Sequence, residues 1–272
     1  KALNIIGNPD NNAKKIAPII VNLDKIFETY ELLKGAGVFI DSYPDIKKTV
    51  DFFTLYFSIV IHNKDGIVLP PIGIDAYAVQ NELKPIAVYS FAHYLHLCGD
   101  YGRSVGLAEG ALVLKTFSCP VSEIYLALIV CVGYMTRSDF MRAEYFFRHA
   151  WNTAKPDGLI MPFVELRGLL SGMLEKCLRF EYPEDYKNIV ELYADYHKNW
   201  VKVHNSITGD TVSDKLTAIE FNIAMLASKG LSNDEIATFF DISVNSVRAH
   251  LRNIFNKLGI NSRKDLNNFV IK

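Results

Sequence analysis

The sequence predicts an all-α protein in which a series of helix pairs is followed by a compact unit of four short helices. Three observations predict it. Apolar residues recur at helical spacing over most of the chain, and no strand pattern finds a partner. A pattern in residues 99–114 returns in residues 138–153, an offset of 39. Near the end, three Ser or Thr residues each stand three positions before an acid, the spacing that opens a helix.

In chain order, residues 44–62 read as a helix and residues 63–73, NKDGIVLPPIG, as a loop. Asp-Gly between β-branched runs also suits a hairpin there, but the runs are short and lack a third strand, so the loop is preferred. Residues 85–97 and 121–136 each form a helix leading into one copy of the repeated pattern. The copies align Asp100 with Asp139, Tyr101 with Phe140, Arg103 with Arg142 and Ala111 with Ala150. Helix pairs at a period of roughly 34 to 47 residues mark a solenoid, in which each pair buries its apolar face only against its neighbours. The second copy resembles a tetratricopeptide repeat, with Ala143, Phe147 and Ala150 at small-aromatic-small spacing and Pro156 closing the helix. The first carries Ser104 and Ala108 where Ala and Phe are expected. Two more helices are expected over 158–179 and 183–204. Apolar periodicity stops in residues 203–215, VHNSITGDTVSDK. The expected division is a TPR-like helical domain over 1–204, a linker over 205–213 and a second domain over 214–272.

Composition excludes several classes. The chain has 272 residues, 50% hydrophobic and 22% charged, enough for a sizeable core. Its net charge of −1 argues against a protein coated in nucleic-acid-binding charge, so any such surface is local. Cys98, Cys119, Cys131 and Cys177 form no C-x-x-C pair, which points to reduced thiols in a cytosol. His93 and His96 lie three apart, and His149 falls in the second copy, but no acidic or cysteine partner stands at ligand spacing, so no metal is expected. The longest apolar runs, FFTLYFSIVI and YLALIVCVGYM, are about half the length a membrane span needs. No glycine-rich phosphate loop or nucleophile motif is present, so no catalytic residue and no cofactor is assigned. Tyr89, Phe91, Tyr94, Tyr101, Phe146, Phe147 and Trp151 suit either a ligand groove or a solenoid core, and core is the plainer reading. The chain begins at Lys1 rather than a methionine, so it is expected to be part of a longer protein, and the lack of a signal peptide carries no weight.

In the second domain Thr217, Ser232 and Ser262 precede Glu220, Glu235 and Asp265 by three, and Ser243 caps the remaining helix. Gly230 and Gly259 stand where helix ends need a left-handed residue. Projected at about 100° per residue, the helix after Ser243 gathers Val247, Leu251, Ile254, Phe255 and Leu258 on one stripe. The opposite side presents Asn245, Ala249, Arg252 and Asn256, with Arg248 on its shoulder. These residue types read a major groove: cations for guanine and phosphate, amides for adenine edges, and a methyl that permits close approach. With the helix over 232–239 and a tight turn at Asp241, they form a helix-turn-helix. Residues 241–272 carry six cations against two acids, a net of +4, leaving −5 for the rest of the chain. On their own, such charges are more often a solvated face.

Leu216-Thr217, Glu220, GLSNDEIA from Gly230, DIS from Asp241, SVRAH from Ser246 and IFNKLGINSR from Ile254 resemble, collinearly and without a gap, the LuxR-type (NarL/GerE) DNA-binding domain. The resemblance implies that Arg248, Ala249 and Arg252 meet base edges and that Ser246 and Arg263 contact phosphate or support groups that do. With Asn245, Asn256 and the capping Ser232, these make the expected DNA-binding set. His250 is expected to be mainly structural. The resemblance also implies dimerisation through a terminal helix over 262–271, where Leu266, Phe269 and Val270 recur at i, i+3 and i+4. Ala218-Ile219 replaces the usual Pro-Arg, and Asp234 stands where lysine is common, which predicts weakened DNA affinity. For every phosphate left without its cation, the slope of log affinity against log salt becomes shallower by about 0.9.

Residues 150–174, AWNTAKPDGLIMPFVELRGLLSGML, resemble the segment that leads from helical repeats toward the DNA-binding domain in MalT-like regulators. In that group an ATP-binding domain precedes the repeats, and no G-x-x-x-x-G-K-[ST] occurs here. The expected function is a sequence-specific transcriptional regulator of the bacterial cytoplasm. Its expected partners are double-stranded DNA, a second copy of itself as a homodimer, and a small-molecule or protein effector on the repeats. The alternative is a helical-repeat interaction module whose terminal helices no longer bind DNA specifically.

Overall fold

The computed structural model describes residues 44–65, 67, 84–114, 119–213 and 215–270, with isolated positions at 31, 32 and 35. Among these residues every regular element is a helix. The expected loop over 63–73 falls mostly outside them.

Helix α1 (Pro44–Val60) packs on α2 (Lys84–Leu97), which pairs with α3 (Tyr101–Leu114), and a second pair follows, α4 (Pro120–Thr136) and α5 (Phe140–Ala154). The repeated pattern is a repeated way of starting a helix. Asp100 and Asp139 each accept from the backbone N–H three residues on, at Arg103 and Arg142, both at 3.2 Å. Each acid also pairs with that arginine's side chain, so the cap and the charge repeat together. Below the caps, Ser104 and Ala143 occupy equivalent fully buried places, as do Ala108 and Phe147. The Ser104 hydroxyl satisfies itself by donating to the Ala92 carbonyl at 2.7 Å, which lets a polar residue stand where the repeat needs a small one. Helix α4 is buried on every side from Ile124 to Met135 and forms the axis of this part of the core.

The single helix expected over 158–179 is instead three short ones: α6 (Met161–Glu165), α7 (Arg167–Leu170) and α8 (Met173–Leu178). The chain breaks at Ser171 and Gly172, which take left-handed φ values of 50° and 93°. A Cβ at Gly172 would lie 2.4 Å from the Phe240 ring, so glycine is demanded twice, by the backbone and by the neighbour. A buried ion pair between Arg167 and Glu175 spans the break, with the Arg167 guanidinium 4.6 Å from the Tyr193 ring centre. Helix α9 (Pro183–Thr208) then runs 26 residues, four further than expected, and stops at left-handed Gly209.

The C-terminal unit contains α10 (Ala218–Ser228), α11 (Asn233–Phe240), α12 (Val244–Leu258) and a terminal 3-10 helix (Arg263–Asn268). That last element is shorter and tighter than the helix expected over 262–271. Its backbone bonds run from Asp265 N–H to the Ser262 carbonyl at 3.1 Å and from Phe269 N–H to the Leu266 carbonyl at 3.0 Å, the three-residue spacing of the 3-10 form. The segment leading into this unit is bonded at both ends. The Asn205 side chain exchanges two hydrogen bonds with the Val212 backbone, at 3.0 and 3.1 Å. Thr211 donates to the Asn268 carbonyl at 3.0 Å and Ser213 N–H to the Phe269 carbonyl at 3.2 Å.

The C-terminal unit rests on the repeats through α11 and the end of α10. Phe239 meets Phe140 with ring centres 5.1 Å apart, and the Lys176 ammonium lies 5.6 Å from the Phe239 ring centre. The Lys229 amine donates to the Ser171 hydroxyl at 3.2 Å, and burial pulls it down to about 8. Nearby, imidazoles from three places gather. His62 sits edge-on to His93 and to Trp200, at 5.3 and 5.0 Å, while His204 donates through Nδ1 to the Ile61 carbonyl at 2.6 Å. His62, His93 and His96 each keep one buried ring nitrogen without a hydrogen-bond partner. Burial holds all three neutral, with His93 and His96 down to about 3 and His62 well below its usual value. No group of three His, Cys, Asp or Glu among the described residues is placed to hold a metal.

Candidate nucleic-acid interface

The C-terminal helices are fixed by their own caps. Thr217 with Glu220, Ser232 with Glu235 and Ser262 with Asp265 form reciprocal capping boxes, and Ser243 accepts from the Ser246 N–H at 3.0 Å. Asp241, left-handed at φ 53°, turns the chain from α11 into α12. Val247, Leu251 and Ile254 are buried beneath α12, and Phe255 and Leu258 are half-buried beside them. At the far end of α12, Lys257 donates to Glu220 at 2.6 Å and ties this helix to the first of the unit.

That packing decides what faces outward. Asn245, Arg248, Ala249, Arg252 and Asn256 are all exposed, and Arg248 is steadied by a 3.1 Å bond to the Asn245 side-chain oxygen. An open groove of about 420 Å³ runs along this face, lined by Asn233, Arg248, Arg252, Asn256 and Asn261 among others. Asn233 and Asn261 do not stand out in the sequence, because each enters the groove from a neighbouring segment and not from α12. Ser232 is exposed at the start of α11, and Ser246 is half-buried with its hydroxyl 2.8 Å from that of Ser243. Arg263 is turned inward. Its guanidinium donates to the Ala227 and Leu231 carbonyls and to the Asn233 side chain, so it braces the start of α11 behind the groove. Leu266 and Val270 are buried within the chain, at 0% and 4% exposure, and Phe269 is half-buried. The structure therefore brings the α12 residues together on one outward face, and leaves Phe269 alone of the three apolar terminal residues partly accessible.

Residues 214–270 match the family described as "Bacterial regulatory proteins, luxR family". These residues are a luxR-family helix-turn-helix domain. A 76-residue stretch of the chain is also 30% identical to "HTH-type transcriptional regulator MalT" of Cronobacter sakazakii. That match covers 27% of this chain and 8% of the relative, so the likeness spans a small part of the longer protein. No solved structure matches the chain. No described helix is long and apolar enough to cross a membrane. Within the luxR-family domain, α12 is the second helix of the helix-turn-helix, and its exposed arginines and asparagines carry the donors and acceptors that base edges require.

Proposed function

We propose that this chain is a sequence-specific DNA-binding transcriptional regulator, in which α12 of the luxR-family domain reads the major groove and the helical repeats, TPR-like in pattern, sense the signal. The observation that supports it most is the outward face of α12: Asn245, Arg248, Ala249, Arg252 and Asn256, exposed on one side of a capped and buried helix. Arg248, Ala249 and Arg252 are the base-reading residues of this proposal, Ser232 and Ser246 its phosphate contacts, and Arg263 the brace that holds the start of α11. The protein would work in the bacterial cytoplasm, where its DNA is.

A single four-helix unit makes too few contacts to compete with a genome of non-specific sites, so two copies act together. With Leu266 and Val270 committed to the core, a homodimer through the terminal 3-10 helix would use Phe269 and the polar positions around it. A two-fold pair predicts inverted half-sites at a preferred spacing.

The test is selection of binding sequences from random duplex pools, followed by salt-dependent retention on the best one. Arg252→Ala is expected to weaken that site by about 1–3 kcal/mol and relax one base position. Its melting temperature should stay with that of the parent, because Arg252 is exposed. Retention indifferent to an Arg248/Arg252 double alanine variant would remove α12 from the DNA and leave the repeats as an interaction module.

A further inference from the structure

The groove along α12 takes part of its lining from α11. Asn233, the first residue of α11, is half-buried and lines the groove together with Arg248, Arg252 and Asn256. Its side-chain oxygen accepts from Nη1 of Arg263 at 3.1 Å. A guanidinium carries donors only, so the oxygen is the end of this amide that must face Arg263, and the NH2 is the end that faces away. Arg263 is itself held fast, because its Nε donates to the Ala227 carbonyl at 3.1 Å and its Nη2 to the Leu231 carbonyl. Among the described residues the Asn233 NH2 donates to no protein group, so a fixed pair of donors is left at the groove.

Two destinations on DNA suit an asparagine. Pairing with an adenine edge uses the amide oxygen and the NH2 together, and here the oxygen is already committed to Arg263. A phosphate only accepts, so the NH2 alone serves it. The place of Asn233 agrees with the second choice, since the first helix of a helix-turn-helix crosses the sugar–phosphate backbone while the second enters the groove. The capping box uses the N–H groups of Ser232 and Glu235, and those of Asn233 and Asp234 have no partner within the helix. An anion beside Asn233 therefore meets further donors and the positive end of the α11 dipole. Asp234 is exposed one residue on. A cationic side chain at 233 would be drawn to that acid, whereas a neutral amide clamped by Arg263 keeps its direction.

We infer that Asn233 is a DNA-phosphate ligand of this domain, and that Arg263 is the positioning residue that aims it. The Asn233 NH2 and the backbone N–H groups beside it take the oxygens of one phosphate at the edge of the major groove, which fixes how α12 is seated over the base pairs. The Arg263 guanidinium stays behind on its carbonyls and does not meet the DNA. The inference rests on the reading of α12 given above and adds to it a contact from outside that helix.

The experiment is binding of the full chain to its selected duplex, measured well below the melting temperature of each variant. Asn233→Ala should weaken binding about tenfold. The factor should be the same on the best site and on its single-base variants, and the sequence selected from random pools should not change. Asn233→Asp keeps an acceptor for Arg263 and adds a favourable charge at the helix start, so it should melt no lower than the parent. It should nevertheless bind more weakly than Asn233→Ala, because it turns an acceptor toward phosphate. A residue that served only to seat Arg263 would keep its DNA binding as aspartate. Arg263→Lys should lower affinity in the parent and lower it no further in an Asn233→Ala background, since Arg263 acts through Asn233. Parental binding by Asn233→Asp, a base position relaxed by Asn233→Ala, or additive losses in the double variant would each overturn the inference. Where binding still depends on Arg248 and Arg252, such a result leaves the α12 reading standing, and binding indifferent to those two arginines removes both.

Discussion

The histidines around the root of α9 and the Glu165 carboxyl pull stability in opposite directions as pH falls, and their difference can be measured. His93 and His96 are held at about 3 in the folded chain, against about 6.5 when unfolded. The unfolded chain therefore binds more protons below pH 6.5, and folding loses about 1.4 kcal/mol per pH unit for each imidazole until its folded value is reached. Between pH 7.5 and pH 5 that is about 2 kcal/mol each, or about 4 together. Glu165 works the other way. Its folded value of about 7 lies above the unfolded value of about 4.3, so the folded state takes up the proton first and gains about 2.5 kcal/mol over the same interval. Lys229, at about 8, is mostly protonated across this window and adds only about 0.2 kcal/mol of loss, equally in both chains. The parent chain should thus lose about 1.5 kcal/mol from these groups, and Glu165→Gln about 4, with His62 deepening the loss equally in both. Urea unfolding followed by fluorescence of Trp151 and Trp200 at pH 7.5, 6.5 and 5 measures both profiles. Surface carboxylates cancel in the comparison. Parallel profiles would show that Glu165 is not an enclosed acid, and a Glu165→Gln variant as stable at pH 5 as at pH 7.5 would show that the imidazoles are not held neutral.

Leu251→Ala removes a side chain 7% exposed beneath α12 and should lower stability by about 2–5 kcal/mol, read as an earlier urea midpoint, with DNA retention failing only as the fold fails. Glu175→Ala strands the buried Arg167 guanidinium and should cost about 3–5 kcal/mol by the same denaturation. Gly172→Ala places a methyl into the Phe240 ring at a left-handed backbone position, so it should loosen α11 from the repeats and open the Ser171–Lys229 hydrogen bond to faster amide exchange around it, while exchange within α12 stays slow.

What could be read from the sequence was local. Ser232 and Glu235, or Thr217 and Glu220, are three residues apart and act on one helical turn, so their spacing alone announces the cap. The outward face of α12 was legible for the same reason, since one helix carries both its buried stripe and its polar side. The break at Gly172 was not, because the residue that demands glycine there is Phe240, far along the chain. Arg263 looks like a free cation until the Ala227 and Leu231 carbonyls take it up, and carbonyls leave no trace in a sequence. His93 and His96 are visible as a pair, but His62 and His204 join them only through the packing of α1 and α9.

The segment between α9 and α10 differs from a flexible tether in what it transmits. A loose chain lets a reading head wander and search, so operators with varied spacing are tolerated and the length of the chain matters more than its sequence. Here Asn205 clasps Val212, and Thr211 and Ser213 fasten onto the carbonyls of Asn268 and Phe269, so the direction in which Arg248 and Arg252 point is inherited from the axis of α9. In any assembly of two copies, the separation of the two reading heads would then follow from how the long helices are set against each other. One inserted residue in 209–213 would act less as added slack than as a rotation of the head away from its groove.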